Sequence, residues 1–262
     1  EGGKDIGSEP LGAGPMKLAA WNRGSDIQLE ANPNFWGEQP KMTKVTMKII
    51  GDNSARAQAF EAGDLDAIQS PLSPQDIQRL AADDRFGNVI EPGLGVTYIN
   101  YNVKDPLLAD AKMRQAFSML IDQNTIVNDI YNGVDAVASS IILPSSWAYS
   151  ADIKQPTFDV EGAKKLFAEE GWTDSNNDGI LDKDGNKLTV TLSTHSEDPN
   201  RVQSIEFIQA VMQSAGVDAQ AQISDWPSFS TNYVQQGKHQ IALLGWLNIV
   251  DPDRLLFNQL TT

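Results

Sequence analysis

The residues best suited to bind a metal ion lie in one acidic loop, "DSNNDGILDKDG" (174–185). Positions 1, 3, 5 and 9 of a calcium loop are taken here by Asp174, Asn176, Asp178 and Asp182. Position 12, which should bring a bidentate glutamate, is a glycine. Without that ligand, the pattern also fits a polar turn whose Asn and Asp side chains bind their own backbone. We predict the turn, so no metal site is expected, and calcium binding is the alternative.

No other arrangement of residues indicates catalysis. His195 and His239 lie far apart in sequence, the chain has no cysteine, and an H-x-x-x-H spacing does not occur. Neither a zinc site nor a catalytic triad is therefore predicted. The nucleophile-elbow, Walker and dinucleotide-binding motifs are also absent from the sequence. We expect no catalytic residue, no cofactor and a protein that is not an enzyme.

The composition excludes some classes of partner. The net charge is −15, from 35 acidic and 20 basic residues, so nothing in the balance favours binding to a phosphate backbone. Nucleic acid is therefore not an expected partner. No apolar run reaches the roughly 18 residues that a membrane-spanning helix needs. The first residues, "EGGKDIGSEPLGAG", are polar and do not read as a signal peptide.

Aromatic residues give a stronger indication of function. Trp246, Tyr98 and Tyr101 fall at the ends of predicted strands, and Trp147 and Tyr149 fall in a long irregular stretch. Aromatic rings combine apolar area with a polar group, which suits clefts that bind sugars or peptides. Ordinary partial burial is the alternative for each ring taken singly.

The elements that must position these residues alternate along the chain. Apolar alternation predicts strands at 15–21, 25–32, 44–50, 65–68, 95–103, 188–194, 217–223 and 240–246. Apolar faces and capping residues predict helices at 53–62, 73–84, 107–122, 124–131, 160–171, 199–215 and 226–236. Alternating strands and helices indicate a mixed α/β or α+β fold.

In this order, several stretches resemble one family, the extracytoplasmic solute-binding proteins of ABC importers, family 5, a peptide- and nickel-binding group. They are "GAGPMKLAAWNRGSDIQLEANPNFWGEQPKMTKVTMKII", "DNSARAQAFEAGDLDAI", "MRQAFSMLIDQNTIVNDIYNG", "DVEGAKKLFAEEGWTDSNNDG" and "ALLGWLNIVDPDRLLF". The resemblance runs from about Pro10 to the last residue. Met16 and Gln123 depart from the family pattern, which has an aromatic residue and a basic residue at these places.

The resemblance implies a fold like that of the type II periplasmic binding proteins, with two lobes joined by a hinge. Residues 1–94 would be a partial lobe I and residues 95–262 a nearly complete lobe II, with the hinge strand at 97–102. Family members are nearly twice as long, so we expect this chain to be a piece of a longer protein whose signal peptide lies elsewhere. Apolar surface on the strands of lobe I is expected to be exposed.

The resemblance also implies a function. The chain would belong to the substrate-binding component of an ABC importer, which captures an oligopeptide between its lobes. Its partners would be the solute and the permease subunits of the inner membrane, and its place would be the periplasm or another extracytoplasmic space. The predicted ligand-binding residues are Trp246, Asp251, Asn248, Tyr98 and Asn100. The alternatives are a sugar or opine-like solute on the same fold, or a hydrolase fragment without its catalytic half.

One departure bears on the ligand. In peptide-binding members, an aspartate three residues after the tryptophan pairs with the α-ammonium of the peptide. Here that position is Ile249, and the next acid is Asp251. A buried ammonium without a carboxylate is costly. Either Asp251 takes this role, or the ligand is not a peptide with a free amine.

Overall fold

The computed structural model describes residue 7 and residues 10–69, 72–87, 93–247, 251–253 and 256. These residues form two packed units, one up to Asp76 and one from Ile77 onward. The division into lobes at residues 94 and 95 stays a prediction. None of the helices in the described ranges is both long and apolar enough to cross a membrane.

The first unit contains a three-stranded antiparallel sheet. Its strands are β1 (Met16–Asn22), β2 (Asp26–Ala31) and β3 (Lys44–Lys48), in that order. The predicted hairpin between β1 and β2 is confirmed, because the Ser25 amide donates to the Asn22 carbonyl at 3.0 Å. Gly24 stands in this turn with φ +78°, a left-handed conformation that suits glycine.

Two helices of the first half begin where their capping residues predict. Helix α1 (Asn53–Glu61) starts after Asp52, whose carboxylate accepts from the Ala55 amide at 2.7 Å. Helix α2 (Pro74–Ala81) spans the boundary of the two units, and the Ser73 hydroxyl accepts from the Asp76 amide at 3.1 Å. The extended run predicted at 65–68 does not pair as a strand.

The second unit is built on a mixed four-stranded sheet. Its strands are β4 (Val96–Tyr101), β7 (Thr189–His195), β8 (Asp218–Ser224) and β9 (Ile241–Trp246), and a separate two-stranded ribbon joins β5 (Asp182–Lys183) to β6 (Asn186–Lys187). The order in the sheet is β4-β9-β7-β8. Strand β7 is parallel to β8 and β9, whereas β4 runs antiparallel to β9.

Helices cover both faces of this sheet. They are α3 (Ala111–Met119), α4 (Gln123–Thr125) with a π-helical turn (Ile126–Ile130), α5 (Val160–Glu169), α6 (Pro199–Ser214) and α7 (Trp226–Ser230) with a π-helical turn (Thr231–Gln235). One face carries the main core, where Phe117 of α3 meets Phe167 of α5 edge to face at 5.1 Å. On the other face, Phe229 and Tyr233 pack on Leu244.

One helix is shorter than its predicted span of 107–122. Helix α3 begins only at Ala111, because the Asp110 carboxylate accepts from the Lys112 amide at 2.6 Å and so caps the helix there. The preceding residues form a turn in which Asp105 accepts from the Leu107 amide at 2.9 Å. The apolar periodicity of the sequence continues through this turn, which is why the predicted helix was too long. The start of the helix is fixed by the two aspartates.

Candidate functional site

The candidate site lies at one edge of the four-stranded sheet in the second unit. Strands β7, β8 and β9 are parallel, so their carboxyl ends at His195, Ser224 and Trp246 meet at this edge. Val96, the first residue of the antiparallel β4, pairs directly with Trp246. Ligands of open α/β sheets bind outside the carboxyl ends of the strands. We call this edge the carboxyl edge.

Arg201 is held at the carboxyl edge by residues of the loop between β7 and α6. Its Nη1 donates to His195 Nε2 at 2.9 Å, and its Nε forms an ion pair with Asp198 at 3.1 Å. Asp198 is also the N-cap of α6, since its carboxylate accepts from the amides of Asn200 and Arg201. The cap of the helix therefore also fixes the direction of the guanidinium.

The ring of His195 is fixed by partners on both nitrogens. A guanidinium can only donate, so His195 Nε2 must accept and the ring proton sits on Nδ1. This Nδ1 lies 3.0 Å from Glu197 Oε2. The other oxygen of Glu197 accepts from the Trp226 amide at 2.8 Å. This bond is the largest cause that lowers the pKa of Glu197, and the backbone amide of Glu197 and the contact with His195 lower it further. The result is a continuous chain of contacts from α7 through Glu197 and His195 to Arg201.

Gly245 lies in strand β9 directly before Trp246, and it allows Arg201 to approach the sheet. A Cβ atom placed on Gly245 would lie 2.5 Å from Arg201 Nη2 and 3.2 Å from the Val96 carbonyl oxygen. Both distances are shorter than ordinary van der Waals contact. Because glycine has no Cβ, the guanidinium can lie against the backbone of β9.

Tryptophans lie at the ends of the two strands that neighbour β7 in the sheet: Trp246 ends β9, and Trp226 follows β8. Trp226 opens α7, has half of its surface exposed and meets the ring of His195 edge to face at 5.3 Å. Trp246 ends β9 and packs with Val96, Leu143 and Tyr98. The carboxyl edge thus combines a positioned positive charge with exposed and half-buried aromatic surface, which is the combination found in clefts that bind small polar ligands.

Two of the predicted ligand-binding residues, Trp246 and Tyr98, come together. They lie on the same face of the β4–β9 pair, and their polar atoms are buried neighbours that do not reach the geometry of a hydrogen bond. Burial raises the pKa of Tyr98 above its ordinary value. Tyr98 therefore remains a neutral phenol, able to donate or accept one hydrogen bond.

Asn100 and Asp251, two further predicted residues, have hydrogen bonds to other residues in the described structure. Asn100 lies further along β4, opposite Ala242, where its Oδ1 accepts from His239 Nε2 at 3.0 Å. Asp251 is exposed and accepts from the Asp253 amide at 2.9 Å. Asn248 lies outside the described residues.

The carboxylates of the acidic loop bind neighbouring protein groups. Asp174 accepts from the amides of Asp178 and Gly179, at 3.1 and 3.0 Å. Asp182 accepts from the amide and hydroxyl of Ser175, and Asp178 pairs with Lys187 at 2.9 Å. Within the described ranges, no group of three or more acidic or histidine side chains is arranged to hold a metal ion. These contacts are those of the polar turn that the sequence predicts.

Sequence reasoning missed three residues of the carboxyl edge: His195, Arg201 and Trp226. The available signal was positional, since each lies within seven residues after the end of a predicted strand, at 194 or 223. In the sequence, His195 suggests only a metal ligand or a triad member, and Arg201 is only one residue of the helix predicted at 199–215. Their pairing depends on the tertiary arrangement of the loop, which a single sequence does not specify.

Comparison with known proteins places this geometry in a family. The chain is 34% identical over 220 residues to the oligopeptide-binding protein AppA of Bacillus subtilis, covering 83% of this chain and 40% of that protein. It is 30% identical over 246 residues to the dipeptide-binding protein of Escherichia coli, covering 93% of this chain and 44% of that protein. The chain therefore spans less than half the length of these curated relatives.

Solved structures give the same result. The structure of AppA from Bacillus subtilis in complex with a nonapeptide matches with a TM-score of 0.81 and 31% identity, over 94% of this chain and 49% of that one. NikZ from Campylobacter jejuni in complex with Ni(L-His) matches with a TM-score of 0.83 and 27% identity, over 96% and 49%. The mixed α/β fold is thus that of the periplasmic binding proteins, present in part. The family model of the bacterial extracellular solute-binding proteins, family 5 (Middle), matches residues 1–262, and the chain belongs to this family.

Proposed function

We propose that this chain forms part of the solute-binding component of an ABC importer and that its ligand is a short peptide. The observation that carries the proposal is the positioned guanidinium of Arg201 at the carboxyl edge, where β9 ends in Trp246 and β8 leads into Trp226. The names of the relatives support the ligand class, because AppA is described as oligopeptide-binding and the Escherichia coli relative as dipeptide-binding.

The chemistry of a peptide suits the groups at this edge. A guanidinium presents donors in a planar fork that matches a carboxylate, such as a peptide terminus. Aromatic rings offer apolar area to side chains of varied shape. Binding of this kind needs no bond to be made or broken, so the protein is proposed to bind without turnover.

The α-ammonium of a bound peptide needs an acidic partner, because a buried ammonium without one is costly. Asp251 is the first acid after Trp246 and is exposed, so its carboxylate is accessible to a ligand. We propose Asp251 as the partner of the α-ammonium, with Asn248, three residues earlier in the sequence, as a second ligand-binding residue. The permease subunits of the inner membrane are proposed as the partners that receive the peptide, outside the cytoplasm.

Titration calorimetry with a defined library of short peptides tests the proposal. We expect stoichiometric binding without hydrolysis, and an at least tenfold loss of affinity in Arg201→Gln, because hydrogen bonds to a charged group contribute about 1.5–3 kcal/mol. Lys165→Gln removes a positive charge from the exposed face of α5 and is the matched control, with unchanged affinity expected. Equal affinities of the two variants would remove Arg201 from the site, and binding only of unmodified sugars would remove the peptide itself.

Asp251→Asn separates the two ends of the ligand. If Asp251 pairs with the ammonium, this variant loses affinity for free-amine peptides and keeps its affinity for N-acetylated ones. Equal losses for both kinds of peptide, or none for either, would reject this role.

A further inference from the structure

The three nitrogens of the Arg201 guanidinium differ in what they contact. Nη1 donates to His195 at 2.9 Å, and Nε lies 3.1 Å from Asp198 in an ion pair that does not reach hydrogen-bond geometry. Nη2 has no hydrogen-bond partner in the part of the chain that the structure describes, and it is not one of the fully buried atoms. Nη2 is therefore available to a ligand.

The direction of Nη2 depends on His195. The ion pair with Asp198 attracts the charge of Arg201 but leaves the plane of the guanidinium free to tilt. The hydrogen bond from Nη1 to His195 Nε2 removes this freedom, because the donors of a guanidinium are fixed in one plane. Nη2 thus keeps its direction only while His195 Nε2 can accept, which requires that Nε2 carries no proton.

Glu197 decides which nitrogen of His195 carries the proton. A neutral imidazole has one donor and one acceptor nitrogen, and a carboxylate can only accept. Glu197 Oε2 lies 3.0 Å from Nδ1, so it holds the proton there and leaves Nε2 as the acceptor. The ring packs against those of Trp226 and Phe229, with centroids 5.3 and 5.9 Å away. Since this packing fixes the ring, a change at Glu197 acts on the position of the proton.

We propose that Glu197 is a positioning residue of the ligand site, which acts on the ligand through His195 and Arg201. By holding the proton on His195 Nδ1, it keeps Nε2 as the acceptor of Arg201 Nη1 and so aims Nη2 at the carboxylate of a bound peptide. Glu197 itself needs no contact with the ligand. The ligand in this role rests on the proposed function, whereas the effect on the proton of His195 does not.

Glu197→Gln separates this role from a purely structural one. Two N–H groups meet the side chain of Glu197, the Trp226 amide at 2.8 Å and His195 Nδ1 at 3.0 Å. A carboxylate accepts from both, whereas a glutamine has one oxygen that accepts and an NH2 group that only donates. The oxygen is expected to stay with the backbone amide, which keeps its proton, and the NH2 group then donates to Nδ1. The proton of His195 moves to Nε2, where it faces a donor of Arg201.

Nitrogen-15 NMR of the histidine rings at pH 8 tests this directly. The chain has two histidines, and His239 Nε2 lies 3.0 Å from Asn100 Oδ1, an oxygen that only accepts. In the parent we therefore expect opposite tautomers, with the proton on Nδ1 of His195 and on Nε2 of His239. In Glu197→Gln, His195 should change to the Nε2–H tautomer while His239 keeps its own. Glu206→Gln makes the same change at an exposed position of α6 and should alter neither ring.

Calorimetry with trialanine carries the effect to the ligand. Glu197→Gln should weaken binding about two- to tenfold, the effect of one neutral hydrogen bond, and Glu206→Gln should not. In an Arg201→Gln background, Glu197→Gln should cost no further affinity, because it acts through the guanidinium. Failure of the parent to bind trialanine would count against the proposed function, while the tautomer of His195 would still decide the role of Glu197.

The side chain of Glu197 is 49% exposed, so its substitution does not open the core, and thermal melts check that every variant folds. An unchanged tautomer of His195 in Glu197→Gln would overturn the proposal. So would the same change of tautomer in Glu206→Gln, or a full additional loss of affinity in the Arg201→Gln background.

Discussion

The two sheets of this protein are covered to very different extents. In the second unit, Phe117 and Phe167 on one face are fully buried, and Phe229 is almost so on the other. In the first unit, Trp21, Ile27 and Met47 lie side by side across three strands, and Trp21 and Met47 remain 36% and 44% exposed. The second sheet is therefore stabilised by its own helices, whereas the first presents the exposed apolar strand surface expected from the sequence.

This contrast has a physical consequence for substitutions. A residue in a closed core loses many contacts when it is truncated, and its loss leaves a cavity. Truncating a residue on an exposed apolar face loses little stabilisation, because much of the side-chain surface is already in water. The comparison therefore predicts where changes destabilise the fold and where they do not.

The largest expected effect is in the second unit. Phe167→Ala should reduce the free energy of unfolding by about 3–5 kcal/mol, because it removes a fully buried ring and its partner contact with Phe117. Met47→Ala in the first unit should cost less than about 1 kcal/mol. Urea denaturation measures both, with amide exchange of β7 to assign the loss to the second unit. Similar costs for the two variants would contradict the contrast between the sheets.

The next effect concerns the close approach at Gly245. Gly245→Ala places a Cβ 2.5 Å from Arg201 Nη2 and should displace the guanidinium, with about a tenfold loss of peptide affinity. In an Arg201→Gln background the same change should cost less, because the closer of the two contacts is gone and only that with the Val96 carbonyl oxygen remains. Calorimetry of the four proteins measures this coupling, and additive losses would disprove it. Gly12→Ala, where a new Cβ meets no atom within 4 Å, is the control.

A smaller effect is expected from pH. Burial lowers the pKa of His239 from 6.5 to about 4, so the unfolded chain binds a proton first as the pH falls. The stability that this neutral ring contributes is present above pH 6.5 and should be lost progressively down to about pH 4. As the pH is lowered across this range, the melting temperature should fall more steeply for the parent protein than for His239→Gln, whose side chain gains no proton. Parallel curves would show that His239 does not titrate in this way.

The smallest expected effect is that of calcium on the acidic loop. Asp174, Asp178 and Asp182 already bind backbone groups or Lys187, so millimolar calcium should leave the melting temperature unchanged. A ligand that binds the folded state raises this temperature by mass action. A rise of several degrees with calcium, and none with Asp182→Asn, would restore the metal site.

Much of the fold was predictable because its signals are local. The helices predicted to begin at 73, 160 and 199 begin within one residue of these positions, each capped by the side chain of Ser73, Asp159 or Asp198. The strands at 188–194, 217–223 and 240–246 were also placed within one residue. The site was less predictable because its signals are not local. Trp246 and Tyr98 could be chosen as aromatics at strand ends, but Arg201 depends on Gly245, which lies 44 residues later in sequence. Such a pair exists only once β9 has been placed beside α6.

The pairing of β4 with β9 has a topological consequence. Val96 and Trp246 lie directly opposite each other in the antiparallel ladder. The segment of about 150 residues between them therefore begins and ends at positions only one strand spacing apart, about 5 Å. A segment whose two ends are adjacent can be inserted into a loop of another domain without stretching its host. The stretch between these two residues has the geometry of an insertion cassette, which can be exchanged between scaffolds in evolution or in engineering while its carboxyl edge stays at the junction.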